Sequence, residues 1–384
     1  MTDLFISYAH KDRDRVSPVV SLLEDAGWLV WWDRDIEPGI EWRQELDRVL
    51  IECRAIIVFW SKFSIHSEEV KRESEIGLQQ SKLIPILLDS DQIPQDYAKF
   101  HFTDLSNWKG LSSSREIEAL IRRLVKLVLP SLKERVRPGY NINFLGKNSQ
   151  IGLPGVASNA VLLRYMHFTV VMNPARRLAH YVAYNVGSPL INDLPRNDNW
   201  TADPLIPESQ QMNMSLLLRS GYDRGHLMAR TTGCWGSKRE AIISNRQAFY
   251  WPNITPQHPK LNQIWWYALE DLERKIAQEK GKITGFSGPV FLPDDEPFRG
   301  EVELEDGLIA YDTFRIPRSF WKVIVTISSK KQLLLAAYLM NQDEMIRKGV
   351  TSNIDLKDYL ISLDDLEEVT NIRFPKLLHK ADIF

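Results

Sequence analysis

The residues best suited to acid–base and phosphate chemistry stand together at Asp223-Arg224-Gly225-His226. In this motif the imidazole of His226 stands two residues after the guanidinium of Arg224, which is charged at every physiological pH. Histidine has an ordinary pKa near neutral, which suits a general base, and a glycine lets the backbone bend where a side chain would clash. These residue types predict a site that acts on an anionic substrate.

A second group of candidates follows on a predicted helix. The segment Asn253–Gln257 leads to Asn262, with Glu270 and Arg274 further along the chain. Positions 262, 266, 270 and 274 share one helical stripe, so these side chains are expected to face one pocket with His226. A neutral asparagine and several waters suit Mg²⁺, a hard ion that dehydrates reluctantly, and Mn²⁺ fits nearly as well. The two groups predict a metal site that cleaves phosphodiesters.

The chemistry suggests a role for each candidate. Neutral His226 takes a proton from the attacking water, while Arg224 and Arg274 hold the phosphate and offset the charge that grows on its oxygens. A cation held by few carboxylates stays strongly electrophilic toward phosphate oxygens. Because contacts to phosphate carry no base information, little sequence specificity is expected.

The segment resembles the DNA/RNA non-specific endonuclease family, whose core is an α+β ββα-metal fold with a D-R-G-H motif. The match covers most of residues 140–384, and residues 165–186, 285–291 and 316–323 resemble the family's strands. The resemblance implies a general base, a metal-binding asparagine, a glutamate that orders metal-bound water, and phosphate-contacting arginines. These roles fall in turn on His226, Asn262, Glu270, and the pair Arg224 and Arg274. Asp223, the first residue of the motif, is counted with the catalytic residues.

Some parts of this segment have other interpretations. Met228–Thr232 departs from the A-P and later Asp that family members often carry, which leaves the outer wall of the site undefined. The tetrapeptide alone also arises by chance, but the spacing of residues 253–274 favours the nuclease interpretation. The Trp265-Trp266-Tyr267 cluster favours helix packing over base stacking. Arg176-Arg177 suits a nucleic-acid contact and a solvated loop equally.

Composition bounds the class of protein. The 384 residues suffice for two domains with full cores, and hydrophobic and charged contents of 44% and 26% are those of a globular protein. The net charge is only -2, so any steering of nucleic acid must come from a local patch. Cys53 and Cys234 form no zinc spacing. Without an evident signal peptide or membrane-spanning run, a cytoplasmic protein with no membrane contact is expected.

Residues 1–130 alternate strand-like and helix-like segments. Apolar runs predict strands at 4–8, 28–32, 55–60 and 83–88. Amphipathic runs predict helices at 16–25, 41–53 and 68–80. Continuous apolar strands separated by helices predict an α/β fold whose parallel sheet is covered on both faces. A stretch rich in Pro, Gly and Asn predicts a linker at 131–150 and a second domain at 151–384.

The first domain resembles a bacterial TIR domain, a flavodoxin-like fold. The resemblance is carried by Phe5–Tyr8, Arg34–Trp42 and Ser61–Glu73. The last of these matches the segment where NAD-cleaving members carry a catalytic glutamate, which by register is Glu73. Ser7 and Trp42 are expected beside it, at a site for NAD or another nucleotide. One departure lies four residues before Glu73, where the family often has Trp and this chain has Glu69.

Three hypotheses for the TIR half stay open, with sensing favoured. In the first hypothesis, the TIR half senses a nucleotide signal or assembles into a homo-oligomer, and thereby gates the nuclease. In the second, it is an NAD glycohydrolase, in which Glu73 stabilises the ribosyl cation that develops as nicotinamide leaves. Or Glu73 is one more charge on a polar helix face beside Glu68, Glu69, Lys71 and Arg72. The fold alone does not decide, because the site carries the function.

The sequence as a whole predicts a cytosolic nuclease effector that hydrolyses DNA or RNA. An unexported nuclease that is always active would degrade its host, so we expect gating by the TIR half, with antiphage defence as the setting. The rival hypothesis makes the TIR half the enzyme, consuming NAD, and the nuclease fold a binding module. The intact set of His226, Asn262, Glu270 and Arg274 favours the first, because a retired site has no physical reason to keep all four.

Overall fold

Contacts within the chain separate two units, Met1–Val136 and Arg137–Phe384. The computed structural model describes residues 2–32, 42–89, 97, 100, 102–108, 115–128, 137–157, 159–191, 193, 194, 196, 200–203, 205–217, 220–303, 309–348 and 355–383. The predicted loop Arg34–Trp42 lies outside the described residues, except for the backbone of Trp42 at its end. Residues 131–136 of the predicted linker also lie outside them.

The first unit is the predicted α/β fold with a parallel sheet. Apolar runs form its strands, and β3, with the sequence A-I-I-V-F-W, is buried at every position. Its strands are β1 (Leu4–Ser7), β2 (Val30–Trp31), β3 (Ala55–Trp60), β4 (Leu83–Leu87) and β5 (Thr103–Asp104), in the order β2-β1-β3-β4-β5 with every pairing parallel. Its helices are α1 (Arg13–Asp25), α2 (Trp42–Glu52), α3 (Glu68–Gln79) and α4 (Arg115–Leu127).

Helix α3 begins at a side-chain cap, because the Ser67 hydroxyl accepts a hydrogen bond from the backbone N–H of Val70. Its inward residues recur at helical spacing, at Val70, Glu73, Ser74 and Gly77. The same spacing leaves Glu68 and Glu69 exposed. The helix therefore buries one carboxylate, Glu73, and leaves its neighbours in solvent.

The second unit is an α+β fold built on an antiparallel sheet. Its strands are β6 (Gly155–Val156), β7 (Val161–Arg164), β8 (Phe168–Asn173), β9 (Leu178–Gly187), β10 (Asp223–His226), β11 (Ile254–Gln257), β12 (Lys282–Val290), β13 (Glu296–Glu303), β14 (Ile309–Ile316), β15 (Ser319–Ile327), β16 (Leu333–Asn341), β17 (Ile372–Arg373) and β18 (Asp382–Ile383). The main sheet has the order β18-β16-β15-β12-β9-β8-β7, and only its β16–β18 pairing is parallel. The pairs β10–β11, β13–β14 and β6–β17 form separate antiparallel ribbons.

Helices cover the main sheet on both faces. The helices of this unit are α5 (Lys238–Gln247), α6 (Tyr267–Lys280), α7 (Gln342–Lys348) and α8 (Leu363–Thr370), and a π-helical segment, Leu261–Trp266, runs directly into α6. Alternate strand residues belong to two apolar clusters, as the two-residue period of a strand requires. The first cluster includes Trp265, Trp266 and Leu269 from the π-helical segment and α6, and the second includes Leu363 and Leu366 from α8.

The start of the second unit is fixed by a buried ion pair. The guanidinium of Arg137 donates to both carboxylate oxygens of Asp203, at 2.7 and 3.0 Å, and the Tyr165 hydroxyl donates to the same carboxylate at 2.6 Å. Residues 137–150 of the predicted linker thus belong to this unit. Within the described part of the chain, no helix combines the length and the apolar character needed to cross a bilayer.

Candidate active site

The D-R-G-H motif forms β10, which pairs with β11 so that Gly225 lies opposite Thr255 and His226 opposite Ile254. A β-carbon on Gly225 would stand 2.0 Å from the side-chain Oε1 of the fully buried Gln257. The glycine is therefore required because another side chain packs against its backbone, and not for the bend that its sequence context suggested. Any larger residue would force the Gln257 side chain or β10 itself to shift.

The helix that carries the other candidates begins with a wide turn. Residues Leu261–Trp266 are π-helical, and Trp266 points into the core, where its indole N–H donates to the backbone oxygen of His226 at 2.9 Å. Tyr267 lines the cavity instead and is 55% exposed. The predicted stripe of positions 262, 266, 270 and 274 is thus interrupted at 266. Single π-helical turns are frequent at functional sites.

These two elements meet at a cavity of about 510 Å³. Its wall is formed by Arg196, Arg224, His226, Ala229, Arg230, Thr231, Asn262, Gln263, Tyr267, Glu270 and Arg274. Five of the predicted residues are among these, and Asp223 lies directly behind Asn262. Arg196, Arg230, Gln263 and Tyr267 were missed by the sequence analysis. Gln263 was predictable because it is next to Asn262 in the sequence. No local sequence pattern marks Arg196 as a site residue.

Asp223 sets the orientation of the asparagine amide. Asn262 Nδ2 and Gln263 Nε2 both donate to Asp223 Oδ2, each at 2.9 Å. Because the amide nitrogen of Asn262 is taken up by Asp223, its carbonyl oxygen Oδ1 is the atom left for a ligand. An amide oxygen is a ligand that hard divalent cations accept.

Aromatic side chains hold the imidazole of His226 in place. Its ring centre lies 5.0 Å from that of Trp200 and 5.2 Å from that of Phe249, which it meets at 85°. Trp200 also lies under Arg224, whose guanidinium carbon is 5.5 Å from the centre of the indole ring. Arg224 Nε donates to the backbone oxygen of Met214 at 3.1 Å. The base and the guanidinium therefore share one aromatic support.

The carboxylate of Glu270 lies in the cavity wall with an unusual pKa. Burial raises the pKa of Glu270 to about 7; Lys322 and Arg274 counteract the rise, and Glu273 adds to it. Arg274 itself donates to Thr231 Oγ1 at 3.4 Å, and its guanidinium lies 5.4 Å from the ring centre of Tyr267. Burial thus favours the neutral form of Glu270 more than in an exposed glutamate, and a nearby positive charge favours its ionised form.

A fully buried polar cluster lies behind this helix. Lys322 Nζ donates to Glu273 Oε2 at 2.9 Å and to the Tyr184 hydroxyl at 3.0 Å, and Tyr184 donates in turn to Glu273. The ammonium also lies 4.8 Å from the ring centre of Trp266. Gly285 leaves the space for Tyr184, since a β-carbon there would stand 2.2 Å from its ring. The cluster joins α6, β9 and β15, and its Glu273 lies about one turn after Glu270 and directly before Arg274.

Comparison with known proteins agrees with this geometry. Residues 146–381, more than half of the chain, match the model of the DNA/RNA non-specific endonuclease family. The chain belongs to this family. Residues 4–125 match a TIR domain, so the predicted pairing of a TIR domain with a nuclease-family domain is confirmed.

Among its relatives is the uncharacterized protein y4fB of Sinorhizobium fredii, 32% identical over 64% of this chain and 38% of that protein. The chain thus spans well under half of that relative. Mitochondrial endonuclease G of Bos taurus is 27% identical, over 62% of this chain and 75% of that protein. A nuclease of Nostoc sp. is 24% identical, over 69% of this chain and 93% of that protein.

The departure from the endonuclease-family motif forms one wall of the cavity. Ala229, Arg230 and Thr231 line it, in the loop that follows β10. The buried amide of Asn253 clamps this loop, because it accepts from the backbone N–H of Met228 and donates to its backbone oxygen, both at 3.0 Å. This wall, which the sequence left undefined, is therefore held by hydrogen bonds and carries an additional arginine, Arg230.

The donor set suits the divalent cation that the endonuclease family implies. Within the described ranges, no group of three or more His, Cys, Asp or Glu residues is placed to hold a metal ion. Asn262 Oδ1 and the Glu270 carboxylate are the oxygen donors of the cavity wall that fit, directly or through water. A hard cation that keeps most of its water shell needs no more protein ligands than these.

The structure also bears on the alternatives for the Trp265–Tyr267 cluster and for Arg176-Arg177. Trp265 and Trp266 are buried, as expected for helix packing, whereas Tyr267 is exposed at the cavity. Arg177 donates to both carboxylate oxygens of Asp312, at 2.6 and 2.9 Å, and Arg176 is paired with buried Asp295. These two arginines are paired with carboxylates and are partly buried.

The first unit has a cavity of its own, of about 410 Å³. Its wall includes Phe5, Tyr8, His10, Trp31, Glu69 and Glu73. Burial raises the pKa of Glu73 to about 7; Ser7 and Arg72 counteract the rise and Glu69 adds to it. The structure therefore separates Glu73 from the exposed charges of α3. Ser7 is buried nearby, and the side chain of Trp42 lies outside the described residues.

Proposed function

We propose that the second unit is a metal-dependent nuclease that hydrolyses phosphodiester bonds. The observation that supports this most strongly is the single cavity shared by His226, Arg224, Asn262, Glu270 and Arg274. These side chains come from a strand and from a helix that begins 35 residues further along the chain, so only the fold brings them together. A base, an amide oxygen donor, a carboxylate and two guanidiniums are the parts that phosphodiester hydrolysis uses.

In this proposal the side chains divide the work of the reaction. His226, held between Trp200 and Phe249, takes the proton from the attacking water as a general base. Arg224 and Arg274 hold the phosphate by charge-assisted hydrogen bonds and offset the charge that develops on its oxygens. Arg224 is preoriented by the backbone oxygen of Met214, and Arg274 by the hydroxyl of Thr231 and by the Asp271 carboxylate at 3.5 Å.

A divalent cation, Mg²⁺ or Mn²⁺, would be held by Asn262 Oδ1 and, through water, by Glu270. When bound, it supplies Lewis-acid stabilisation to the phosphate and the leaving oxygen. Asp223 keeps the Asn262 amide in the orientation that leaves Oδ1 available. The positive charge of the cation also favours the ionised form of Glu270, whose pKa is about 7 without it.

The proposed substrate is DNA or RNA without sequence preference. The chain as a whole has a net charge of only -2, yet four arginines and one carboxylate line this cavity. The lining of the cavity is therefore net positive although the chain as a whole is not. Guanidiniums recognise phosphate and carry no base information by that contact.

We further propose that the TIR unit gates the nuclease, by sensing a nucleotide or by assembly into a homo-oligomer. Support comes from the fusion of the two domains in one chain and from the cavity of the TIR unit. A nucleotide would enter that cavity beside Glu73, Trp31 and His10. A gated nuclease of this kind suits a cytosolic role in antiphage defence.

Plasmid cleavage by the purified full chain tests both parts. The assay contains Mg²⁺, with an EDTA control, and is run alone and with a panel of NAD-derived and cyclic nucleotides. Cleavage that requires metal and one nucleotide supports the whole proposal. Cleavage by freshly purified monomer with no ligand keeps the nuclease but contradicts gating. Absence of cleavage under every condition, with loss of NAD from the mixture, contradicts the nuclease.

A second candidate function is supported by the buried Glu73. A carboxylate with a pKa of about 7 in a cavity of about 410 Å³ suits an NAD glycohydrolase, in which Glu73 stabilises the ribosyl cation. Single substitutions discriminate the two. Under the first proposal, His226→Ala abolishes nucleic-acid cleavage and any toxicity. Under the second, His226→Ala leaves toxicity intact and Glu73→Ala removes both toxicity and NAD loss.

A further inference from the structure

The arginine of the loop after β10 has no role in the mechanism above. Arg230 lines the same cavity as Arg224 and Arg274, but it lies on neither β10 nor α6. It stands in Met228–Thr232, the part of the motif that departs from the endonuclease family.

The loop that carries Arg230 is built to hold it in position. Asn253 clamps Met228 by two hydrogen bonds, and the Cys234 thiol donates to the backbone oxygen of Arg230 at 3.0 Å. The hydroxyl of Thr231 accepts from Arg274 at 3.4 Å, so the same loop also orients one of the two phosphate-binding arginines of the mechanism.

The contacts of Arg230 differ from those of the carboxylate-paired arginines of this unit. Its guanidinium donates to Asn245 Oδ1 at 3.3 Å and to the backbone oxygen of Leu194 at 3.5 Å, both neutral acceptors. Among the described residues no carboxylate forms a salt bridge with it, whereas Arg137 and Arg177 are each paired with an aspartate. Two weak neutral contacts leave most of the five guanidinium N–H donors, and the full charge, to a ligand.

Charge counting then points to a second phosphate. A phosphodiester group carries one negative charge, and the mechanism already places Arg224 and Arg274 at the scissile one. Two further guanidiniums, those of Arg196 and Arg230, line the same cavity and exceed what one phosphate needs, and Arg230 is the one on the loop that also orients Arg274. Polynucleotides supply a neighbouring phosphate of identical chemistry at each step of the chain.

We infer that Arg230 binds the phosphate next to the scissile one and so positions a continuous nucleic-acid strand across the cavity. This inference rests on the proposed nuclease function and adds to it a preference for polynucleotides over esters with a single phosphate. Arg230 is thus a substrate-binding residue that contacts the strand away from the reacting atoms.

Counterion release gives a direct test that does not depend on catalysis. Each phosphate neutralised by a protein cation adds about 0.9 to the slope of log affinity against log salt on duplex DNA. The full chain, under the nucleotide condition that activates the wild type but in EDTA, is titrated with a fluorescent 20-base-pair duplex by anisotropy at several salt concentrations. The proteins compared are the wild type, Arg230→Gln, Arg230→Lys and Arg239→Gln. Arg239 is the matched control, since it is an exposed arginine on the nearby α5.

We expect Arg230→Gln to bind more weakly and to lose about 0.9 from the slope, which is one phosphate contact. Arg230→Lys should keep the wild-type slope because it keeps the charge, and Arg239→Gln should match the wild type. An unchanged slope in Arg230→Gln overturns the inference, as does an equal loss in Arg239→Gln or a loss in Arg230→Lys as large as in Arg230→Gln. Failure to bind the duplex at any salt concentration also overturns it.

Cleavage measured on the same preparations separates this inference from the proposal on which it rests. If the wild type cleaves DNA and Arg230→Gln has the wild-type salt slope, the nuclease proposal stands and Arg230 does not bind the substrate. A wild type that binds DNA through Arg230 but never hydrolyses it keeps the contact and removes the nuclease.

Discussion

Asn262 Nδ2 donates to Asp223 Oδ2 at 2.9 Å, so the first residue of the D-R-G-H strand fixes the amide at the start of the helix. The bond crosses 39 residues of sequence and joins the two elements that form the cavity. It gives Asp223 a role that the motif alone does not reveal. The aspartate orients a proposed metal ligand and does not itself line the cavity.

Asp223→Ala tests this role. With its acceptor gone, the Asn262 amide is free to rotate, and Oδ1 is no longer directed to the cation. Loss of such an orienting partner weakens metal affinity by about 10–100-fold. The Mg²⁺ concentration for half-maximal cleavage should rise accordingly, while Asp358→Ala, which removes an exposed aspartate, should leave it unchanged. A wild-type metal requirement in Asp223→Ala would show that the bond does not matter to the site.

Gly225→Ala tests the packing of the motif strand. The added β-carbon meets the Oε1, Cδ and Cγ of Gln257, all of them side-chain atoms. Overpacking of this kind costs about 1–3 kcal/mol and should displace β10, with a loss of cleavage. Gly225→Ala combined with Gln257→Ala removes the clash and should recover both stability and activity. If the double variant is no better than the single one, the glycine is required for some other reason.

The buried cluster behind α6 predicts a specific pattern of stabilities. Lys322→Met leaves the Glu273 carboxylate buried without its cation, which costs about 3–5 kcal/mol. Lys322→Met combined with Glu273→Leu removes both charges and should recover most of that loss. Urea unfolding of the three proteins measures the pattern. Equal losses in the single and double variants would mean that the cluster acts by its shape and not by its charges.

The burial of Glu73 predicts how the stability of the first unit changes with pH. Its pKa is raised from 4.5 to about 7, so folding favours the protonated form. The stabilisation from that proton is complete below pH 4.5 and is lost as the pH rises through 7, by roughly 3 kcal/mol in total. Glu73→Gln, which does not titrate, should gain stability relative to the wild type as the pH rises from 4.5 to 8.

Urea unfolding at a series of pH values, followed by a probe in the first unit, measures this difference. Glu75→Gln is the control, since Glu75 is an exposed carboxylate on the same helix. It should follow the wild-type curve at every pH. A constant difference between Glu73→Gln and the wild type would show that the Glu73 carboxylate has an ordinary pKa.

Much of the fold was predictable because local patterns decide it. The apolar run of β3 is buried on both faces, and continuous runs of that kind are typical of central parallel strands. The spacing of the catalytic candidates likewise placed Asn262, Glu270 and Arg274 in one cavity. Both patterns repeat over short distances, which is why sequence reasoning reaches them.

Other features depend on contacts that are remote in sequence. The π-helical turn moves Trp266 into the core and Tyr267 to the cavity, although a regular α-helix fits the same residues. The Tyr184–Glu273–Lys322 cluster joins three elements, and no local pattern marks its members as partners. Arg230 lies at the cavity in a loop that a buried asparagine, Asn253, holds through two hydrogen bonds to Met228. Such contacts exist only in the folded chain.

The most direct test of the central claim is the rate of plasmid cleavage by His226→Ala, measured in Mg²⁺ under the condition that activates the wild type. His66→Ala, which removes an exposed histidine of the first unit, is the matched control. Loss of a general base should lower the rate by about 10²–10⁴-fold, while the control cleaves at the wild-type rate and EDTA abolishes all cleavage. Cleavage by His226→Ala at the wild-type rate would contradict the assignment of the active site.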